Sequence, residues 1–300
     1  MQNWIYFVLI AQGIWSITSL IDKFVISKGC IKNPAVYIVL NGLMNVLLIF
    51  LLPFVGFGPL KFTDFLIGAF GGVAFSAGVT IYYKAVQYDE ISKVIMLSQF
   101  GPIFVLVLSF LFLGETLAKN HFTGFLFLLG AGAMISYKKV NGTLKLSKAF
   151  YLMLISMFLS SIGFIVAKYI YSITSFWSAF IWLRVTGFAA LLVLLSPSVR
   201  KDSLKTFKVM KPKIKVLMIF KMVIDFSAFI FAGYALLNAP ASLVSALSSS
   251  VLPLFVFMLA LITSIYLPKL IKEEIGKRSI LIKVLAIVFI IVGIAFINLK

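Results

Sequence analysis

LSQFGPIFV, residues 97–105, and SSSVLPLFV, residues 248–256, stand 151 positions apart, and each places polar residues and a proline inside a strongly apolar run. Sliding the chain by that offset aligns 65–108 with 216–259 without a gap. FSA at 75–77 falls on FSA at 226–228, Tyr83 on Tyr234, Ser98 on Ser249, Pro102 on Pro253, and FV at 104–105 on FV at 255–256. Ten identities in 44 positions gain weight from the matching order of apolar runs around both copies. A proline lacks the N–H donor, so a helical carbonyl one turn back goes unbonded; lipid makes that costly, whereas a wet cavity or a substrate can satisfy it. The pair of segments therefore predicts one central site framed by two related halves.

Working outward, 62% of the 300 residues are hydrophobic, only 12% are charged, and the mean hydropathy is +1.12. A soluble domain carries about twice that charge. Crossing a hydrocarbon layer of about 30 Å takes about 20 apolar residues, and ten runs qualify: 4–27, 34–54, 63–86, 92–113, 122–138, 148–172, 176–196, 214–237, 241–267 and 279–298. The expected fold class is all-α, a polytopic membrane protein of ten transmembrane helices. With five spans per half, an odd number, the second half must enter the membrane inverted relative to the first. The halves are 1–141 and 148–300. The first run lacks a basic leader and a small-residue cleavage site, so it is expected to stay attached as the first span.

Cys30 and His121 are each alone of their kind, which argues against a disulfide framework or a metal cluster. HExxH, GxSxG and a phosphate-binding glycine loop are all missing from the sequence, so neither enzymatic chemistry nor a cofactor or metal is expected. The net charge of +18 does not point to nucleic acid, because its basic residues cluster in loops beside spans. Twenty lie after spans 1, 3, 5, 7 and 9, against Lys61, Lys119 and Lys300 on the other side. Basic loops resist translocation, which predicts a cytoplasmic basic side, outward termini, and a bacterial or archaeal inner membrane. The segment 198–216, with seven basic residues from Arg200 to Lys215, is expected to lie along the anionic inner leaflet.

Several residues are candidates for contact with a solute. Ser98, Gln99, Ser248 and Ser249 form the polar face of spans 4 and 9; serines also let membrane helices approach closely, so lining and packing both stand. Asp225, close to mid-span, has Lys221 one turn earlier. The two suit either a self-neutralising pair or a coupling and gating element that opens on protonation or binding. Trp15, Tyr83, Trp182 and Tyr234 suit aromatic cavity walls or interface anchors. Asn41 and Arg184 suit the polar end of a substrate or a bond between helices. Lys23, Lys84 and Lys168 are expected to extend to headgroups, and Glu115 to bond free backbone amides. GAFGG at 68–72 suits close helix packing within the chain, a homodimer contact being the other use of such spacing.

GPIFVLVLSFLFLGETLAKNHFTGFLFLLGAGAMI, 101–135, resembles the signature region of EamA-type proteins of the drug/metabolite transporter superfamily: a proline within the helix, an apolar run ending in LGE, and a following helix that opens with spaced glycines. LIAQGIWSITSLIDKFVI near the start is similar to that family's first helix, and Arg184 fits its arginine in the seventh. The second half keeps Pro253 but has SIYLPKLIKEEIGKRS in place of a clean LGE. The resemblance implies a secondary-active carrier of a small organic solute such as an amino acid, a related metabolite or an amphipathic drug. It further implies export by alternating access, with spans 1, 3, 4, 6, 8 and 9 around the cavity. It also implies cytoplasmic termini, against the charge count. The expected partners are a small-molecule substrate and the lipid bilayer; a monomer is expected. Lipid or lipid-precursor transport is the alternative reading, and a non-transporting scaffold a third.

Overall fold

The computed structural model describes residues 3–27, 35–86, 88, 97–98, 100–136, 148–266 and 277–299. Those residues form helices and turns, with no strand among them. In chain order the helices are α1 (Asn3–Ser27), α2 (Ala35–Met44, prolonged by short turns to Phe54), α3 (Phe62–Val86), α4 (Phe100–Leu113), α5 (Lys119–Ser136) and α6 (Lys148–Ile173). There follow α7 (Phe176–Thr186, continued as a 3-10 helix Gly187–Leu195), α8 (Pro197–Val209), α9 (Pro212–Asn238), α10 (Ala241–Tyr266) and α11 (Lys277–Asn298). Six of the helical stretches are long and apolar enough to cross a membrane: Asn3–Asp22, Phe62–Tyr82, Lys148–Ile173, Phe176–Leu195, Pro212–Asn238 and Ala241–Leu259. Large apolar side chains point outward around the bundle, Phe54 being 84% and Phe112 73% exposed. Such a surface suits hydrocarbon as its solvent, and the protein is membrane-embedded.

Because lipid is as apolar as leucine, the helices associate through close packing of small residues and through internal hydrogen bonds. A methyl group added at Gly71 would come 2.5 Å from Val166, and one at Gly78 would come 2.5 Å from Ser160 Oγ and 2.8 Å from the Ser156 carbonyl. The Ser156 hydroxyl donates to the Gly78 carbonyl at 2.7 Å. The glycines of GAFGG therefore face α6 and α7, Gly72 lying under the Thr186 carbonyl, while Phe70 points outward. Gly124 of α5 and Gly293 of α11 oppose each other in the same way. α1 and α9 instead meet through large side chains and run antiparallel: Phe7 packs on Tyr234, Trp15 on Phe229, and Asp22 on Lys221.

Helix ends follow their local chemistry. Ser175 caps α7, its hydroxyl accepting from the Ser178 N–H, and Pro197 and Pro212 open α8 and α9, where a missing N–H costs nothing. Gly114 ends α4 with a left-handed backbone, φ +64°, a conformation open to glycine at little cost. That turn swings Glu115 inward, where Oε2 accepts from the Ala241 N–H at the start of α10, 2.8 Å away. Lys168 is a correction to the sequence reading. It does not extend to headgroups; Nζ donates to the Leu236 and Ala239 carbonyls at 2.7 and 2.8 Å and lies 3.8 Å from Glu115 Oε1. The end of α9 leaves carbonyls without helical donors, and an ammonium is their natural partner.

The two prolines differ in setting. Pro253 lies inside α10, whereas Pro102 stands in the first turn of α4 as described. The basic segment 198–216 is also divided. α8 buries Ser203, with Met210 buried just past its end, and exposes Arg200, Lys201, Lys205 and Lys208, while Lys213 and Lys215 belong to α9.

Candidate functional site

On α9, Lys221, Asp225 and Phe229 recur at four-residue spacing and so share one face. On α1, Trp15 and Asp22 stand two turns apart and face them. Lys221 Nζ donates to Asp225 Oδ2 at 2.6 Å and lies 3.5 Å from Asp22 Oδ2. Lys221 and Asp225 are each 6% exposed. The pair expected from the sequence is thus a group of three, with two carboxylates against one ammonium. Burying ions costs several kcal/mol each, and a close opposite charge offsets this; here Asp22 Oδ1 is buried without a hydrogen-bond partner. The same group ties the basic-end halves of α1 and α9 together.

About one turn away along α9, Arg184 rests on Phe229. Its Cζ is 4.0 Å from the Phe229 ring centroid and 5.7 Å from that of Phe180. Trp15 meets the same Phe229 edge-on at 5.1 Å, and Phe180 meets Phe226 at 5.4 Å. Arg184 sits in the last turn of α7, near the middle of the stretch Phe176–Leu195, just before the backbone tightens into nine residues of 3-10 helix. Runs of that length are uncommon. Its Nε is buried with no hydrogen-bond partner.

The other candidates are distributed around this junction. Tyr234 stacks on Phe176 at 3.7 Å and leans on Phe7 at 5.5 Å, toward the end of the bundle away from Asp22. Trp182 stands apart: its indole N–H donates to the Gly58 carbonyl at 3.0 Å, between Phe57 and Phe65. Two residues of helix turn a side chain through about 200°, which separates Trp182 from Arg184. Ser249 bonds back to the Ala246 carbonyl at 3.0 Å, and both it and Ser248 are half-buried. Neighbouring Ser250 reaches the Leu128 carbonyl of α5 and so fastens two helices. Ser98 is half-buried just ahead of α4, where its carbonyl accepts from the Gly101 N–H. Gln99 and the side chains of Asn41 and Tyr83 lie outside the described residues.

Sequence reasoning missed Asp22, the aromatic seat of Arg184, and the engagement of Lys168 with Glu115. A signal for Asp22 existed: Trp15 and Asp22 are seven residues apart, one face of a helix, just as Lys221, Asp225 and Phe229 are on α9. Nothing in the sequence paired these two faces.

Residues 2–137 match the EamA-like transporter family. A solved structure titled "Crystal structure of protein" superposes with a TM-score of 0.69 over 99% of this chain and 96% of its own, at 14% sequence identity. At that identity the likeness concerns the fold. No curated protein sequence matches the chain.

Proposed function

From the match of residues 2–137 to the EamA-like transporter family, within the drug/metabolite transporter superfamily, we propose a membrane carrier of ten spans in two inverted five-helix repeats, moving a small organic solute outward by alternating access. The observation that carries the reading is the junction of α1, α7 and α9. Arg184, Lys221, Asp225 and Asp22 are all drawn into the interior of apolar helices, where charge is expensive and is retained for function.

Support for two repeats comes from the packing. α3 lies along α6, and α1 lies along α9. Numbering the spans one to five in each half, both are contacts between the first span of one half and the third of the other. α5 and α11, the last of each half, pack on each other. The fold likeness extends over both halves as well.

Two charge clusters join helices at different levels of α9: Asp22–Lys221–Asp225 at and just before its middle, and Glu115–Lys168 with the carbonyls of Leu236 and Ala239 at its end. In alternating access these are the contacts that break in turn. Asp225 and Lys221 then serve as coupling residues, since a proton on the Asp225 carboxylate leaves the ammonium to Asp22 alone. The test is pH-gradient-driven solute uptake into everted vesicles. Asp225→Asn is expected to abolish it, and undiminished gradient-dependent uptake by that variant removes proton coupling from the mechanism.

A lipid-handling reading rests on a different feature. A mostly apolar crevice of about 490 Å³ lined by Leu106, Phe110, Thr116 and Phe122 opens between α4 and α5. Flipping of labelled lipid in liposomes tests it; an absence of flipping alongside solute uptake excludes it.

A further inference from the structure

We infer that Arg184 is the receptor for the carboxylate of a singly charged organic anion, a substrate class that deepens the transport reading and rests on it. A guanidinium has two faces and an edge: the faces stack on rings, and the edge carries five N–H donors in a fixed fork. In this protein the guanidinium carbon lies over the Phe229 ring, 4.0 Å from its centroid. A cation–π contact of that kind holds the group in place. Nε, on the edge, is buried and unpartnered.

A cation in the middle of a span needs a counter-charge, and the described acidic residues are committed elsewhere. Asp22 and Asp225 share Lys221. Asp64 accepts from the Tyr169 hydroxyl at 2.9 Å. Glu115 is bound to Ala241 and lies beside Lys168. Asp202 belongs to α8, outside the spans. Among the described residues no carboxylate pairs with Arg184, and the partner assigned to it is a ligand that brings its own negative charge.

Among the described residues the charge count also sets the valence. Lys221 is held between two carboxylates and Lys168 by three carbonyls and Glu115, so neither is available to a second negative group. A carboxylate matches one guanidinium fork two bonds to two; a dianionic phosphate would keep an uncompensated charge. The ligand's apolar part lies on Trp15 and Phe229, which are half-buried beside Arg184. Cationic amphiphiles are excluded from this site by the charge of Arg184.

The test uses the purified full chain in detergent. Its intrinsic tryptophan fluorescence and thermal midpoint are followed against phenylacetate, hexanoate and N-acetylphenylalanine, each beside its neutral amide, and against 2-phenylethylammonium. At least one carboxylate is expected to bind tenfold or more tightly than its amide. Arg184→Gln should lose that preference, and Arg184→Lys should keep part of it. Equal binding of acid and amide, preference for the ammonium compound, or no carboxylate binding at all overturns the inference. The acid-to-amide comparison on the unaltered protein stands even where a variant does not fold. Counterflow in proteoliposomes separates the two readings. Flux of neutral or cationic solutes that ignores Arg184 defeats the anion site and keeps the carrier; Arg184-dependent binding without flux of any bound carboxylate defeats the carrier and keeps the site.

Discussion

Glu115 shows how one side chain can serve two helices. Gly114 turns the chain back, and the carboxylate then closes the start of α10 while lying beside the ammonium that closes the end of α9. The need for an amide-bonding glutamate was legible in the sequence, because an apolar run ending in LGE leaves a carboxylate beside unpaired backbone; its specific donor, Ala241, was not, being 126 residues away. Burial pushes the Glu115 carboxyl above its ordinary range, against the opposing pull of the Ala241 N–H and Lys168. A carboxyl raised in the folded state stabilises that state fully below its unfolded pKa and loses the contribution as pH rises through the folded one. Between the ordinary glutamate value and the raised one, the thermal midpoint should therefore fall with rising pH. In Glu115→Gln that portion of the slope should vanish; an unchanged slope across the window would mean that Glu115 is not its source.

At the scale of elements, the α3–α6 contact is where glycine spacing decides the packing. GAFGG signalled close approach in the sequence, and the structure supplies the surfaces: Val166 over Gly71, Thr186 over Gly72, and Ser160 and the Ser156 backbone over Gly78. Because backbone cannot yield as a flexible side chain does, Gly78→Val should destabilise the bundle by roughly 1–3 kcal/mol, the usual cost of overpacking. Gly56→Ala, where nothing lies within 4 Å, serves as the control. Parallel melting curves in detergent read the difference, and equal midpoints for the two variants would contradict the tight crossing. The 3-10 continuation of α7 had no sequence signal beyond an apolar run. It is tied to neighbours rather than to propensity: Gly187 lies against the Asn45 side chain, and Leu191 lies over Gly42.

Across the whole molecule, orientation is the property that charge distribution speaks to most directly. Cys30 is the chain's one cysteine and falls in the sequence between α1 and α2, in a loop that the charge count groups with the basic ones, so it serves as a native reporter of that expectation. A membrane-impermeant maleimide should label it only after the cells are permeabilised. Labelling of intact cells would place the basic loops outside and the termini inside, as the family resemblance implies. The sequence by itself determined an all-helical, membrane-embedded chain, since apolar runs of about 20 residues admit little else in lipid. It also determined the Lys221–Asp225 contact, since four residues make one turn of helix. Only the tertiary structure decided that Asp22 joins that pair, that Lys168 turns inward to the end of α9, and that Arg184 lies over Phe229 with its Nε unpaired. Each of these depends on which helix faces which, and a side chain's partner across a bundle is set by helix rotation and packing, quantities that composition and local spacing do not contain.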